Sequence, residues 1–531
     1  MVLEHPKRPR GPTRRGYGIS RVGVSAWVLA VWCFAGAAMS EPVNAGPTNL
    51  AQLRLSLANA LGQTAAPGAV WGLQVVSLAN GVQVFGASTR RLFIPASCTK
   101  LFTTALALDR LGADRRIVTP LLATGNVDAA GTLHGDLLWS GKGAPDLGER
   151  RSGSQENALL PYVEAVVRAG IRRVTGGVVA DESYFRTSRF GPGWNWDDLP
   201  EAYGAAISSL SFNDNIARVV VEPGVAGLPA QIRVEPNANA FRLVNHTRTG
   251  SPDLAQRLRF ERLPGTDELF VLGTLPLRGA SHTERLAVPD PAWVAAVALR
   301  DALQRRGIEL AAGPRVLRWH DDLHPVASAQ PPHWLGAVTS APMSELVRDC
   351  LKPSQNLHAQ LLLLQVGAEI EARPQAGEVA GETTDETALA GLQRFLKTLG
   401  ITEAEYSLEE GSGLSRKNLV TPRATVRLLR HLGLHPDPAV RRAWMAALPV
   451  AGVDGTLKGR FTREPARGHI LAKTGSLRQV QALAGYVDTL GGDRLAFALF
   501  LNGYVTPDPK ASGRAEMDRV MEIIAGYPGK L

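Results

Sequence analysis

Apolar positions along the chain fall into two textures that alternate as outer, inner, outer. Residues 50–61 repeat at helical spacing, while 70–76 and 82–85 read as strands joined at Asn80-Gly81, a strong hairpin signal. An unbroken apolar run over 101–108 then predicts a buried helix. From about residue 119 the runs shorten and are broken by Gly, Pro and Asp, as in 133–140, 174–180, 219–222 and 269–275. These predict strands of a β-rich region lasting to about residue 331. Helical periodicity returns at 343–347, 357–364, 386–399, 424–432 and 514–525, with core strands at 481–487 and 495–501. The two ends therefore share a texture that the middle interrupts. The simplest architecture is one α/β (α+β) domain built from residues 50–118 and 332–527. Its β-rich insertion, 119–331, is either one unit or two, divided into about 119–215 plus 291–331 and about 216–290.

Length and composition agree with this division: 531 residues exceed one ordinary core, and 45% hydrophobic with 20% charged residues is a globular composition. The formal charge of +9 is partly terminal. Residues 1–45 hold six basic side chains and two acids, so the remainder carries 9 − 4 = +5. Its arginines are scattered and do not interleave with aromatics, which argues against a nucleic-acid partner but leaves peripheral attraction to a polyanionic cell envelope open.

The first 45 residues read as a signal peptide: basic residues, an apolar run over 22–38, then small-residue cleavage options at Ala38-Met39-Ser40 and Val43-Asn44-Ala45. Export to the periplasm is expected, with an uncleaved anchor as the alternative. Thr13-Arg14-Arg15-Gly16-Tyr17 resembles a twin-arginine signal. Cleavage would remove Cys33 and leave Cys98 and Cys350, either bridged or, as expected here, two buried free thiols.

Candidate chemistry begins at Ser97-Cys98-Thr99-Lys100, at the mouth of the 101–108 helix. A spacing of three puts hydroxyl and amine on one helical face, so Lys100 can reach Ser97. Alone this is weak, because about one Ser-x-x-Lys is expected by chance, and a capping serine explains it equally well. Lysine is scarce, however, ten against 58 basic residues, and Lys100, Lys352, Lys417 and Lys473 all lie in motif-like segments. An ammonium can be tuned to lose its proton whereas a guanidinium cannot. Lys473-Thr474-Gly475-Ser476 ends a short apolar strand, and its Gly475 suggests close approach of another backbone, such as a peptide substrate. Ser354-Gln355-Asn356 precedes an apolar helix and could by itself be only an N-cap.

Order supplies the specificity. Ser-x-x-Lys, Ser-x-Asn and Lys-Thr-Gly in succession resemble the penicillin-binding proteins and serine β-lactamases. From Ser354 to Lys473 is 473 − 354 = 119 residues, ordinary for that β-lactamase/transpeptidase-like fold, an antiparallel sheet flanked by helices; from Ser97 to Ser354 is 354 − 97 = 257, which requires an insertion. A long insertion there resembles the class C low-molecular-mass penicillin-binding proteins, the D-alanyl-D-alanine carboxypeptidase/endopeptidases of peptidase family S13. Segments 181–185, 191–198, 208–215, 411–416 and 452–457 match that family too, with Glu410 standing where Asp is expected.

The resemblance implies a serine DD-peptidase acting on peptidoglycan stem peptides and inhibited covalently by β-lactam antibiotics, with no cofactor. Ser97 would be the nucleophile, Lys100 its base, Ser354 a proton relay to the leaving nitrogen, and Asn356 a holder of Lys100 and the substrate amide. Lys473, with Thr474, Gly475 and Ser476, would bind the substrate and its carboxylate, the backbone N–H groups of Ser97 and Ser476 would form the oxyanion hole, and Arg416 would either touch a carboxylate or pair locally. A β-lactamase and a non-catalytic wall-binding protein are the alternatives. His320, His324 and His333 with Asp321 and Asp322 lack metalloprotease spacing and read as a polar loop rather than a metal site. Trp194 and Trp196 read as a packed loop, with sugar stacking the competing role.

Overall fold

The computed structural model describes residues 47–64, 66, 68–235, 240–263, 265–321, 331–505 and 512–531. The signal-peptide and cleavage expectations, together with Asp322 and His324, lie outside the described residues. Among the described residues no helix is long and apolar enough to cross a membrane.

Both chain ends build one antiparallel sheet of five strands, in the order Ile470–Leu477, Val480–Asp488, Arg494–Asn502, Val70–Ser77, Gln83–Ala87. The hairpin at Asn80-Gly81 forms its far edge, and Gly81 takes the positive φ (+76°) that the turn requires. Strand Arg494–Asn502 shows why such segments read as continuous apolar runs. Ala496, Ala498 and Phe500 pack on one side with Leu101, Phe102 and Leu428, while Leu495, Phe497, Leu499 and Leu501 pack on the other with Leu53, Leu57 and Met521. Each face is covered: helices Leu50–Gly62 and Gly513–Ala525 lie on the second, and Thr99–Leu111 and Pro422–Gly433 on the first.

Helix Thr99–Leu111 is the central piece. Its first ten residues are all buried, the polar Thr99, Lys100, Thr103 and Thr104 among them, so it needs neighbours on every side. Asn356–Ala372 and Met343–Leu351 supply them on the flank away from the sheet. The helix stops at Gly112, whose φ of +77° no longer continues the spiral.

The middle of the chain holds a mixed five-stranded sheet, ordered Arg315–Leu317, Val178–Asp181, Leu137–Ser140, Val118–Ala123, His333–Thr339, and three sheets of three strands. Two of its elements were not legible as helices: Gln155–Arg168 and Pro291–Arg305 are 14 and 15 residues long and pack beneath this sheet. Pro161 inside the first and Pro291 at the start of the second both look like breaks in one dimension; Pro291 takes a first-turn position that suits proline, whereas Pro161 is interior and its helix is held by packing through Ala158, Leu159, Tyr162, Val163 and Val166. Strand His333–Thr339, expected with the outer elements, instead pairs antiparallel with Val118–Ala123.

Candidate active site

Three elements deliver the motif residues to one place. The turn Ala96–Cys98 runs straight into helix Thr99–Leu111, so Ser97 and Lys100 share a face and Lys100 Nζ lies 3.0 Å from Ser97 Oγ. Neither Ser97 nor Ser354 is a helix cap: the capping positions are Cys98 and Gln355, and neither makes a side-chain cap bond. Ala96 and Ser354 instead hold positive φ angles of 46° and 67°, a conformation that costs a non-glycine residue roughly 1–2 kcal/mol. Strain sits beside both hydroxyls.

The surroundings of Lys100 dictate what its amine can do. Besides Ser97 it touches Asn356 Oδ1 at 2.6 Å and the carbonyl of Ser412 at 2.5 Å, and both oxygens can only accept. A neutral amine has two N–H groups for those acceptors, and its lone pair is then left facing Ser97 Oγ. Burial is the main force on its protonation, lowering Lys100 from 10.5 to about 8 against the opposing pull of the Glu410 carboxylate.

Lys473 is also wholly buried, and burial, with the charge of Lys100 next, lowers it from 10.5 to about 7. It donates to Ser354 Oγ at 2.8 Å and to the carbonyl of Thr474 at 2.6 Å. Ser354 thus stands beside the second amine and Ser97 beside the first. The other two motif lysines are ordinary ion-pair partners, Lys352 with Asp454 at 2.5 Å and Lys417 with Glu409 at 3.4 Å.

Asn356 departs partly from expectation. Its Oδ1 holds Lys100, but one of its Nδ2 hydrogens goes to the carbonyl of Tyr203 at 2.8 Å, leaving one N–H for anything else. Arg416 lines the cleft mouth while its Nη2 donates to the carbonyl of Arg478 at 2.8 Å, which is local pairing within reach of the cleft.

Gly475 is explained by the protein's own backbone rather than by a ligand alone. A Cβ there would lie 2.4 Å from the carbonyl oxygen of Pro95, so the glycine lets its strand close onto the turn that carries Ser97. Gly413 acts likewise from the other side, with φ +84° and a virtual Cβ 1.9 Å from the carbonyl of Ala96. Thr474 Oγ1 bonds Thr456 Oγ1 at 2.8 Å, and Ser476 Oγ accepts from Gln481 Nε2 at 2.9 Å.

Strand Ile470–Leu477 is the edge of its sheet: the chain itself bonds its first half, Ala472 N–H donating to the Pro449 carbonyl and Ala451 N–H to the Ile470 carbonyl, both at 2.9 Å, while its second half has no neighbouring strand on that side among the described residues. Beside it opens a cleft of about 660 Å³ lined by Ser97, Ser354, Asn356, Arg416, Ser476 and, from the middle of the chain, Asp197, Asp198 and Tyr203. A larger cavity of about 840 Å³ lies in the middle region, and its charged lining includes groups already paired with one another, Arg218 with Glu149 and Glu235.

Glu410 was noticed only as a departure from the family pattern, and it proves to be a hub. Almost fully buried, its carboxylate accepts from Gln360 Nε2 (2.6 Å), Ser412 N–H (2.8 Å) and Oγ (2.5 Å), Gly413 N–H (2.5 Å) and Asn418 Nδ2 (2.5 Å). Trp194 Nε1 adds a longer contact at 3.4 Å, which makes that ring part of a packed loop, whereas Trp196 is 71% exposed. The bonds to Ser412 and Gly413 fix the loop whose carbonyl holds Lys100. An acid next to Gly-Ser-Gly, in a segment that must be buried, was the available signal.

Both thiols are free and buried. Cys98 Sγ donates to the carbonyl of Lys473 at 3.3 Å, tying the first motif to the third, and burial pushes it up to about 12 and Cys350 up to about 11, so neither is a thiolate at neutral pH. Among the described residues His320, Asp321 and His333 join no converging set of metal ligands.

Comparison with known proteins bears on this geometry as a whole. The family model described as D-Ala-D-Ala carboxypeptidase 3 (S13) family matches residues 53–523. A D-alanyl-D-alanine carboxypeptidase of Actinomadura sp. (strain R39) is 33% identical over 99% of this chain and 94% of its own length. The D-alanyl-D-alanine carboxypeptidase DacB of Haemophilus influenzae is 26% identical over 78% of this chain and 81% of its own. The crystal structure of penicillin binding protein 4 (dacB) from Haemophilus influenzae superposes with a TM-score of 0.73 at 25% identity, covering 89% of this chain and 98% of that one. With the family model spanning nearly all the described residues and the motif side chains gathered at one cleft, the chain belongs to the D-Ala-D-Ala carboxypeptidase 3 (S13) family.

Proposed function

We propose that Ser97 is the nucleophile of a serine DD-peptidase that cleaves D-alanyl-D-alanine termini, D-alanyl cross-links, or both, in peptidoglycan stem peptides. Membership of the family makes the chain a serine peptidase of the DD type. The assignment of roles rests on one observation above others: two carbonyl oxygens consume the hydrogens of neutral Lys100 and leave its lone pair on Ser97.

In this reading Lys100 accepts the Ser97 proton as Oγ attacks the carbonyl of the penultimate D-alanine. Negative charge grows on that oxygen, and the backbone N–H groups of Ser97 and Ser476 receive it. The proton reaches the departing nitrogen through Ser354, which sits on Lys473 at 2.8 Å. The amine leaves, an ester remains on Ser97, and water attacks it with Lys100 again as base. Lys473 in its ammonium form attracts the substrate carboxylate. An extended peptide can lie along the second half of edge strand Ile470–Leu477, beyond the segment already bonded to Pro449 and Ala451. Asp197 and Asp198 at the cleft favour a substrate with a free ammonium group. A β-lactam carries the same reactive amide and a carboxylate, and its ring opening leaves an ester on Ser97 that blocks the site.

Residues 119–331 form part of the same proposal: they act as an insertion that lends one wall, including Tyr203, to a cleft built by the chain ends. The substrate is in the periplasm, so export is proposed as well. Digestion of purified muropeptides with wild type and Ser97→Ala tests the function. Release of D-alanine or resolution of dimers by wild type alone supports it; turnover by neither, or by both, contradicts it. Rapid steady-state hydrolysis of penicillin without muropeptide cleavage would instead make the chain a β-lactamase.

A further inference from the structure

Away from the cleft, three side chains converge that the peptidase chemistry does not use. Asp109 stands in the last turn of helix Thr99–Leu111, His431 in the last turn of Pro422–Gly433, and His435 two residues past that helix. The donor atoms of all three lie within 4.8 Å of one another. His431 Nε2 is 3.5 Å and His435 Nε2 3.4 Å from the same oxygen, Asp109 Oδ1. We propose that Asp109, His431 and His435 form a binding site for a divalent transition metal of the zinc class, clamping the C-terminal ends of two helices together.

Spacing is the first argument. Zinc bonds to nitrogen and oxygen are about 2.0–2.1 Å long, so the ligands of a tetrahedral ion stand roughly 3.3–3.4 Å apart. Two of the three edges have that length without any ion. The third edge, between the two imidazoles, is within 4.8 Å.

Tautomers are the second argument. A metal-bound imidazole gives its other nitrogen a proton and a fixed acceptor. His435 Nδ1 faces both the carbonyl of Asp437, at 3.4 Å, and its N–H, at 3.1 Å. The ring therefore has a partner in either tautomer, and the one with hydrogen on Nδ1 frees Nε2 for the metal. His431 Nε2 is itself shielded from solvent and makes no hydrogen bond of good geometry. Its ring packs edge-on against Phe395 at 5.8 Å and against His435 at 5.2 Å, which holds its direction.

The field is the third. Helices Thr99–Leu111 and Pro422–Gly433 both end here, and helix C-termini attract cations. Asp109 is exposed and His435 buried, so an ion can enter from the Asp109 side and keep water as its fourth ligand. Imidazole with carboxylate suits zinc, cobalt or nickel rather than calcium. The role is positional: Asp109 is twelve residues beyond Ser97, about 18 Å along a helix, so the ion touches no reacting atom. The competing account is a purely protonic cluster, two histidines sharing one carboxylate.

Metal binding separates them. Untagged full-length protein is stripped with a chelator, then titrated with Zn²⁺ in competition with a chromogenic chelator, and with Co²⁺ followed by absorption. The proposal expects one Zn²⁺ per chain, an intense Co²⁺ band of tetrahedral type, and a melting temperature raised by Zn²⁺. His431→Ala and Asp109→Asn each lower Zn²⁺ affinity by at least about tenfold, since even loss of an outer-shell partner commonly costs that much. Both remove the thermal effect and leave β-lactam labelling of Ser97 unchanged. Asp109 is exposed, so its variant folds even if a histidine variant does not. No binding by wild type, or unchanged affinity in both variants, overturns the proposal.

Discussion

Replacing Glu410 by glutamine tests whether the Ser412 loop and the Lys100 amine are coupled through one buried carboxylate. The substitution keeps the shape, removes the charge and exchanges one acceptor oxygen for a donor. Whichever oxygen is exchanged, at least two donors lose their partner: Gly413 N–H and Asn418 Nδ2 face Oε1, while Gln360 Nε2 and both Ser412 donors face Oε2. Buried donors left unpaired cost about 1–3 kcal/mol each, so a loss of roughly 2–6 kcal/mol of stability follows. The electrostatic effect has its own sign. Glu410 holds Lys100 up, so its removal lets the amine fall further below about 8. With an effective dielectric near 20, a unit charge about 7 Å from an amine is worth about 2 kcal/mol, so a neighbouring buried carboxylate can move a pKa by about one unit.

The assay is stopped-flow acylation by a chromogenic β-lactam between pH 5 and 10, with chemical denaturation alongside. Lys100 must be neutral to act, so the wild-type rate falls as pH drops through about 8. In Glu410→Gln that limb moves to lower pH by about one unit or more, while the plateau falls because Ser412 no longer holds the amine in line. Glu410→Asp keeps the charge and restores the limb. A limb that stays in place in Glu410→Gln, with destabilisation as expected, would show that the carboxylate acts only as scaffold.

Further outcomes follow from the same geometry. Lys100→Arg keeps the charge but cannot surrender a proton, so acylation falls by about 10²–10⁴ with little change in initial binding. Lys473→Met removes a buried amine whose charge is disfavoured in the fold. Its pKa is lowered on folding, so the folded state binds fewer protons than the unfolded one between about 7 and 10.5, and the wild-type cost is present at neutral pH and vanishes above 10.5. The variant is therefore more stable at pH 7, the relieved cost of about 4 kcal/mol being partly offset by the donor that Ser354 and Thr474 lose, yet slower toward carboxylate-bearing substrates, as read by denaturant melts and KM. Gly475→Ala drives a methyl into the Pro95 carbonyl and should lower acylation more than tenfold, checked by rate and a retained circular dichroism spectrum.

How much of this was readable from the sequence depends on whether the signal was local. Ser97 and Lys100 share a helix turn, and Asn80-Gly81 encodes its own hairpin, so both were visible as short-range patterns. The five-stranded sheet was foreshadowed by the shared texture of the two ends, because strands covered on both faces read as unbroken apolar runs. Gln155–Arg168 and Pro291–Arg305 were hidden because a proline, interior in the first and in the first turn of the second, looks like a breaker in one dimension. Strand His333–Thr339 carries no mark of its partner, which lies more than two hundred residues earlier. Glu410 and the Asp109, His431 and His435 group were illegible for a related reason: burial and convergence are properties of the fold, and a lone acid or histidine has many ordinary explanations. Gly475 was singled out for the right property, a close backbone, although that backbone belongs to Pro95.

The central claim is that Ser97 forms a covalent acyl-enzyme, and intact-protein mass spectrometry after exposure to benzylpenicillin tests it most directly. Wild type should gain the mass of one intact penicillin on the peptide containing Ser97, and Ser97→Ala should gain none. An adduct that persists on Ser97→Ala, or that maps to Ser354 or either cysteine, would contradict the account.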